Sequence, residues 1–253
     1  MHRMRFWLLC GLLPALLAAR ASEAPALDDL VARNLQARGG AAALQAMQSL
    51  RVSGKLLVND GQFELAFVQV VARGAKVRTE ASVQGMTLVQ AYDGSSGWQI
   101  NPFMGRRDPE KMSVDDSKSL VELAADFDGS LVDAAAKGNR LEYLGVEDVD
   151  GTAAHKIKLT RANGDIEYVY LDPDHYLEIR LLSQRTEQGV TVETETDLGN
   201  YEKIAGVYVP FSVESGRKGS TDRQKLMLDK AEINVAVDPA AFAFPAAPAA
   251  ARK

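Results

Sequence analysis

The sequence predicts a mainly β protein with a few helices, in which about eleven antiparallel strands follow one another as one meander. Three observations carry that expectation. From Val52 onward the apolar residues recur mostly at a period of two, the spacing of a half-buried strand. The links between the apolar runs are short and turn-forming, as in Asn59-Asp60-Gly61, Gln84-Gly85, Asp150-Gly151, Asn163-Gly164 and Gln188-Gly189, and such links favour hairpins over crossover helices. Helical spacing is confined to the N-terminal part and one central insertion. Twist accumulates over so many neighbours and open edges are a hazard, so the strands are expected to curl into a barrel or a strongly bent sheet. The helices must bury their apolar stripes, and the concave face is where they can.

The first 21 residues read as a cleaved export signal. His2, Arg3 and Arg5 make a basic start, Phe6 to Ala19 is an apolar run, and Ala19-Arg20-Ala21 is a small-x-small cleavage pattern. The run is shorter than the about twenty residues of a membrane span, and Pro14 interrupts it. Cys10 follows the large Leu9 too early for a lipoprotein acylation site, so it belongs to the removed segment. The mature chain then has no cysteine, which excludes disulfides and thiolate chemistry. Removal also takes away Arg3, Arg5 and Arg20, and the formal net charge moves from −5 to −8. A net-acidic chain without a basic cluster is a poor nucleic-acid binder.

The mature part reads as one domain over 22–245, followed by a mobile Ala/Pro-rich tail over 246–253. Leu27, Leu30, Val31, Asn34 and Leu35 predict a helix, with Asp28 and Asp29 at its start and Gly39-Gly40 at its end. Leu44, Met47 and Leu50 predict a second short helix over Ala41 to Leu50. Four strands follow, at Val52 to Val58, Gln62 to Val71, Val77 to Val83 and Met86 to Tyr92. Ser95 to Lys111, with Pro102 and Pro109, reads as a looser region, and Ser113 to Ala125 as a helix. Seven more strands are expected, at Leu141 to Val149, Ala153 to Arg161, Ile166 to Leu171, Leu177 to Thr186, Val190 to Leu198, Val207 to Val213 and Leu226 to Val237.

Catalytic patterns are missing. His155 and His175 are the histidines left after cleavage, without zinc spacing or a third ligand. Asp172, Asp174 and His175 fit a Pro-Asp turn better than a cation site. Ser95-Ser96-Gly97 is no nucleophile elbow. Glu193, Glu195 and Asp197 share one strand face, the ordinary acidic outer face of a half-buried strand rather than the carboxylate pair of a glycosidase. No dinucleotide or phosphate loop is present. The chain is therefore expected to be neither an enzyme nor a cofactor or metal protein.

What remains is apolar surface on a curved sheet. More strands than the about eight that fill their own interior leave room for a ligand. The candidate lining residues are Phe63, Leu65, Phe67, Met86, Leu88, Trp98, Phe103, Met104, Ile157, Leu159, Tyr168, Ile179, Leu181 and Phe211.

Several stretches resemble one family. Leu35-Gln36-Ala37-Arg38-Gly39-Gly40 with Leu44, Met47, Leu50 and Gly54 is similar to the N-terminal signature of outer-membrane lipoprotein-sorting proteins of the LolA-like superfamily. So are Ala91-Tyr92-Asp93-Gly94 with Gly97-Trp98-Gln99-Ile100-Asn101-Pro102, then Tyr170-Leu171-Asp172-Pro173 with Tyr176-Leu177, and Gly206-Val207-Tyr208-Val209-Pro210. Ile233-Asn234-Val235 with Asp238, Phe242 and Pro245 completes the set. The resemblance implies an incomplete antiparallel β-barrel whose concave apolar face is lidded by helices. It also implies a periplasmic, monomeric carrier of lipid or lipoprotein acyl chains, working toward the outer membrane between an inner-membrane donor and an outer-membrane acceptor. Asn101 to Lys111 is the expected lid. The dedicated carrier's aromatic-arginine strand segment has no counterpart here, and Arg51 does not match its cavity-closing arginine. The alternative is a non-catalytic module on the same scaffold that senses or binds an envelope protein.

Overall fold

The structure, a computed structural model, describes residues 25–187 and 189–246, so the expected export signal and the tail beyond Ala246 lie outside it. Helices α1 (Leu27–Ala37) and α2 (Ala41–Gln45) precede six strands. These are β1 (Ser49–Val58), β2 (Phe63–Ala72), β3 (Lys76–Val83), β4 (Met86–Asp93), β5 (Gly97–Asn101) and β6 (Arg106–Lys111). After α3 (Val114–Ala125) come β7 (Arg140–Val149), β8 (Thr152–Thr160), β9 (Ile166–Leu171), β10 (Glu178–Glu187), β11 (Val190–Ile204), β12 (Val207–Arg217) and β13 (Arg223–Ile233).

All thirteen strands form one antiparallel sheet, ordered β6-β5-β4-β3-β2-β1-β13-β12-β11-β10-β9-β8-β7. It consists of two meanders joined where the first strand meets the last. The seam runs from Leu50 opposite Ile233 to Leu57 opposite Lys225, with a bulge between Ser53 and Gly54. At Gly54 a Cβ would lie 2.1 Å from the Met227 carbonyl oxygen, so the bulge needs glycine. The sheet does not close, because β6 and β7 are both edges. The incomplete barrel implied by the resemblance is the fold observed.

The strand count exceeds the expected eleven because β5 and β6 arise from the stretch expected to be loose. Proline and charge hid them. Arg106–Lys111 carries Pro109 among charged, mostly exposed residues, a composition that suits an edge and blunts it against other chains. The second helix is shorter than expected. Ser49 is buried and its hydroxyl donates to the Val235 carbonyl at 2.7 Å, so sheet pairing claims Ser49 and Leu50 from the helical spacing. β13 begins and ends earlier than its expected range, while α3 matches its own, with the Ser113 hydroxyl accepting from Asp116 N at 3.1 Å.

Helices fill both arms of the trough. Leu120, Ala124 and Phe127 pack with Leu44, Met47, Val71 and Val77 on the β2–β3 side. Leu30 of α1 and Leu131 pack on Ile157, Val169 and Leu171 on the β8–β9 side. On the opposite, convex face Trp98 packs with Val89 and Ala91, and its indole N–H donates to the Phe242 carbonyl at 2.8 Å.

Candidate functional site: a cavity under the third helix

Between the two filled arms an open cavity of about 460 Å³ remains. Its floor is the middle of the sheet. Leu50 and Val52 of β1, Val209 and Val213 of β12, and Leu226 and Leu228 of β13 make one side apolar. Ser183 and Arg185 of β10, with Thr194 and Thr196 of β11, make the other side polar. Leu181 and Leu198 stand between them along the same two strands. The roof is α3, through Ser119, Glu122 and Leu123, continued by Asp126, Phe127, Gly129 and Ser130.

α3 rests on both arms. Its apolar face joins the β2–β3 core, while Lys118 Nζ donates to the Thr186 carbonyl at 2.6 Å and Arg185 pairs with Glu122 at 3.2 Å. The stretch Asn101 to Lys111, expected as the lid, instead forms a short 3-10 turn and the edge strand β6, and contributes no residue to this cavity. Helix α3 covers what that segment was expected to cover.

Ion pairs concentrate in the polar wall. Arg161 reaches Asp126 at 2.6 Å and Glu167 at 3.0 Å, and both neighbouring carboxylates hold its guanidinium charged although burial opposes it. Burial raises the Glu167 and Glu122 carboxyls above their ordinary values, with Arg161 and Arg185 respectively pulling back. Glu122 Oε1 and Arg185 Nε are buried without a hydrogen-bond partner. Beneath α1, Arg38 pairs with Glu178 at 2.9 Å and donates to the Tyr208 carbonyl at 3.2 Å. The Tyr201 hydroxyl donates to the Glu178 carbonyl at 2.8 Å, and burial followed by Glu178 pushes it well above its ordinary value.

The fourteen residues singled out from sequence fall into distinct places. Leu181 lines the cavity. Phe63, Leu65, Phe67, Met86, Leu88 and Phe211 share its sheet face but lie along the trough away from it: Phe67 and Phe211 are packed in a core, and Phe63 is half exposed. Ile157 and Leu159 are fully buried, Ile157 in the core under α1. Trp98, Tyr168 and Ile179 belong to the convex face. Trp98 pairs with Ala91, whose strand turns Tyr92 to the trough, and Tyr168 stands opposite Leu182 rather than Leu181. A register shift between Glu178 and Arg180 breaks the alternation that placed Ile179 with Leu181. Phe103 and Met104 are exposed on the 3-10 turn. The threonines and arginines of the cavity carry no apolar signal in the sequence, and Arg51 is exposed on the far side of β1.

The other sequence features have structural explanations. His155 Nδ1 shares a hydrogen bond of 2.9 Å with the Tyr143 hydroxyl, and its ring stacks on Tyr176. Asp172 Oδ1 accepts from the backbone N–H of Asp174 and His175, which is a turn. Glu195 and Asp197 are paired with Arg223 on the outer face. Among the described residues no group of three or more acidic, histidine or cysteine side chains could hold a metal ion, and no helix is long and apolar enough to cross a membrane.

No protein-family model matches the sequence, and no curated protein matches it either. Solved structures do. A LolA superfamily protein from Nitrosomonas europaea superposes with a TM-score of 0.56 at 10% identity, over 87% of this chain and 98% of that one. A domain named for outer membrane lipoprotein sorting, from Vibrio parahaemolyticus, gives 0.55 at 10% identity, over 85% and 94%. A DUF1329 family protein from Desulfovibrio piger gives 0.55 at 12%, over 85% and 96%. The chain has the LolA-like fold. Within that fold the resembling stretches meet one another: Tyr208 N donates to the Arg38 carbonyl at 2.9 Å, and a Cβ on Gly39 would lie 2.3 Å from the Gly206 carbonyl oxygen. They hold the LolA-like scaffold together, whereas much of the cavity wall comes from residues outside them.

Proposed function

We propose that this protein is a periplasmic carrier that holds the acyl part of a lipid or lipoprotein in the cavity under α3, moving it toward the outer membrane. One observation carries the reading: a cavity of about 460 Å³ whose floor is apolar along β1, β12 and β13, left open between two filled arms and roofed by a single helix. Transfer of acyl chains from water to such a floor stabilises a complex by about 0.8 kcal/mol per CH₂, so binding needs area and no reactive group. The roof rests on the β8–β10 arm through the Lys118–Thr186 carbonyl contact and the Glu122–Arg185 and Asp126–Arg161 ion pairs, none of them part of the strand ladder, so it can lift without unfolding the sheet. An export signal over 1–21 fits a task between membranes, with a donor and an acceptor protein as partners of a monomer.

The test is lipid extraction and mass spectrometry on the chain purified from a bacterial periplasm without detergent. Stoichiometric lipid or acylated protein supports the carrier. An empty protein that also refuses acyl ligands in solution removes this reading and leaves the interaction module.

A further inference from the structure

One end of the trough carries apolar side chains that neither the core nor the cavity uses. β1, β3 and β5 run toward that end, and β2, β4 and β6 run away from it. Three of its hairpins turn on polar residues, as surface turns do: Asn59-Asp60-Gly61, Gln84-Gly85 and, between β12 and β13, Lys218-Gly219-Ser220-Thr221-Asp222. The β5–β6 hairpin turns on Pro102-Phe103-Met104-Gly105 instead. There Met104 is 70% exposed and Phe103 43%, and Phe63, at the same end of β2, is 51% exposed.

The turn is built to hold these side chains out. Pro102 fixes the start of a single 3-10 turn, Gly105 closes it at φ 75°, and the Gly105 N–H donates to the Pro102 carbonyl at 3.1 Å. Charge says what they meet. Arg106 and Arg107 follow the tip directly, and both are exposed. Arg106 pairs with half-exposed Glu110 at 3.2 Å, whereas Arg107 has no ion-pair partner among the described residues. Arg106, Arg107 and Lys111 against Asp108 and Glu110 give the hairpin a net +1, in a chain of net −5. Beside Phe63 no such excess exists, since Asp60 lies in the turn and Glu64 pairs with Lys55 at 2.9 Å. An apolar tip with arginines immediately behind it matches the layers of a bilayer, hydrocarbon beneath anionic phosphate.

The same end leads to the cavity. Leu226 of the cavity floor stands opposite Leu56, Leu56 stands opposite Leu65, and Phe63 is the next residue along that face. An apolar strip therefore runs from the exposed rim to the acyl site proposed above.

We propose that the β5–β6 hairpin docks the protein on a bilayer that contains anionic lipid. Phe103 and Met104 enter the boundary between head groups and acyl chains, and Arg106 and Arg107 meet the phosphates. The strip from Phe63 to Leu226 is then the route between that surface and the cavity. Only the route rests on the carrier reading; the docking stands without it.

The experiment is co-sedimentation of the chain with vesicles of dioleoylphosphatidylcholine, alone and with about one quarter dioleoylphosphatidylglycerol, beside equilibrium dialysis against palmitate in solution. The expected result is binding to the mixed vesicles that falls in about 1 M salt, where the screening length is about 3 Å. Phe103→Ser with Met104→Ser is expected to weaken that binding about tenfold or more. Arg106→Ala and Arg107→Ala are each expected to weaken it about fivefold on the mixed vesicles and to change nothing on the neutral ones. Val114→Ser, at an apolar site 85% exposed on α3, is expected to leave it unchanged. All of these side chains are exposed, so the variants keep the fold, and palmitate uptake is expected to stay native in each. No binding to the mixed vesicles, or binding that survives the Phe103 and Met104 substitutions, overturns the docking hairpin and leaves the carrier. A loss from Val114→Ser as large as from the hairpin pair overturns it too. A chain that docks as expected but takes up no palmitate supports the hairpin and removes the carrier, and the route with it.

Discussion

Glu122 stands in the cavity wall with one carboxylate oxygen on Arg185 and the other without a partner. Burial is the larger influence on it and raises its carboxyl above the ordinary value of 4.5, against the pull of Arg185 and Arg161. A carboxyl raised in this way binds more protons in the folded chain than in the unfolded one. Its contribution to stability is therefore most favourable below pH 4.5 and declines as pH rises from there through the raised value. Glu122→Gln abolishes that titration. Thermal unfolding followed by circular dichroism is expected to show a midpoint that falls from pH 4.5 to neutrality more steeply in the native chain than in the variant; parallel profiles would show that Glu122 does not titrate there. Leu181 sits in the same wall with the opposite character. An acid placed at that position has no free cation to meet, so Leu181→Glu is expected to weaken acyl binding about tenfold or more. Leu65 lies on the same sheet face outside the cavity, and Leu65→Glu is expected to affect binding far less. Equal losses in a dialysis assay would mean that the ligand lies along the whole trough.

At the scale of elements, α1 is fixed to the sheet by a few polar contacts rather than by its stripe alone. Asn34 Nδ2 donates to the Tyr176 carbonyl at 2.9 Å, Arg33 reaches the Tyr176 hydroxyl at 2.9 Å, and Arg38 pairs with buried Glu178. Removing one member of a buried ion pair strands the other, which costs about 3–5 kcal/mol. Glu178→Ala is expected to lose stability of that order in urea unfolding, and a loss under about 1 kcal/mol would mean that water reaches Arg38. The same contacts explain what the sequence could and could not reveal. Gly39-Gly40 and Gly206-Val207-Tyr208 are legible because tight backbone approach tolerates few residues, and they report the scaffold. Period-two alternation locates eleven strands, but it fails where chemistry serves the edge, as at Arg106–Lys111, and where a bulge resets the faces, as at Ile179. Alternation also says which residues share a face without saying how far along the trough a helix covers them. That is why Phe67, Ile157 and Leu159, all apolar and all on the inner face, are packed while Leu181 borders open space.

Across the whole molecule the two faces of the sheet do separate work. The concave face divides its apolar surface between helix packing and a cavity, while the convex face of the first meander is sealed by the chain's own C-terminal segment. After β13 the chain crosses over Trp98, where Phe242 is 1% exposed, Phe244 meets the indole edge-on at 6.2 Å, and the Ala241 carbonyl accepts from Arg78 at 3.0 Å. Because Trp98 faces away from the cavity, this strap contributes to stability and not to ligand contact. Phe242→Ala is expected to lower unfolding free energy by about 3–5 kcal/mol. It should also red-shift the emission of Trp98, the single tryptophan among the described residues, as water reaches the ring. Acyl binding by the folded variant is expected to stay unchanged. Leu181→Glu should do the reverse, weakening binding while the tryptophan spectrum stays native. A Phe242 variant that loses its ligand while still folded would show that the faces are coupled through β2, β3 and β4, and that the strap belongs to the binding site.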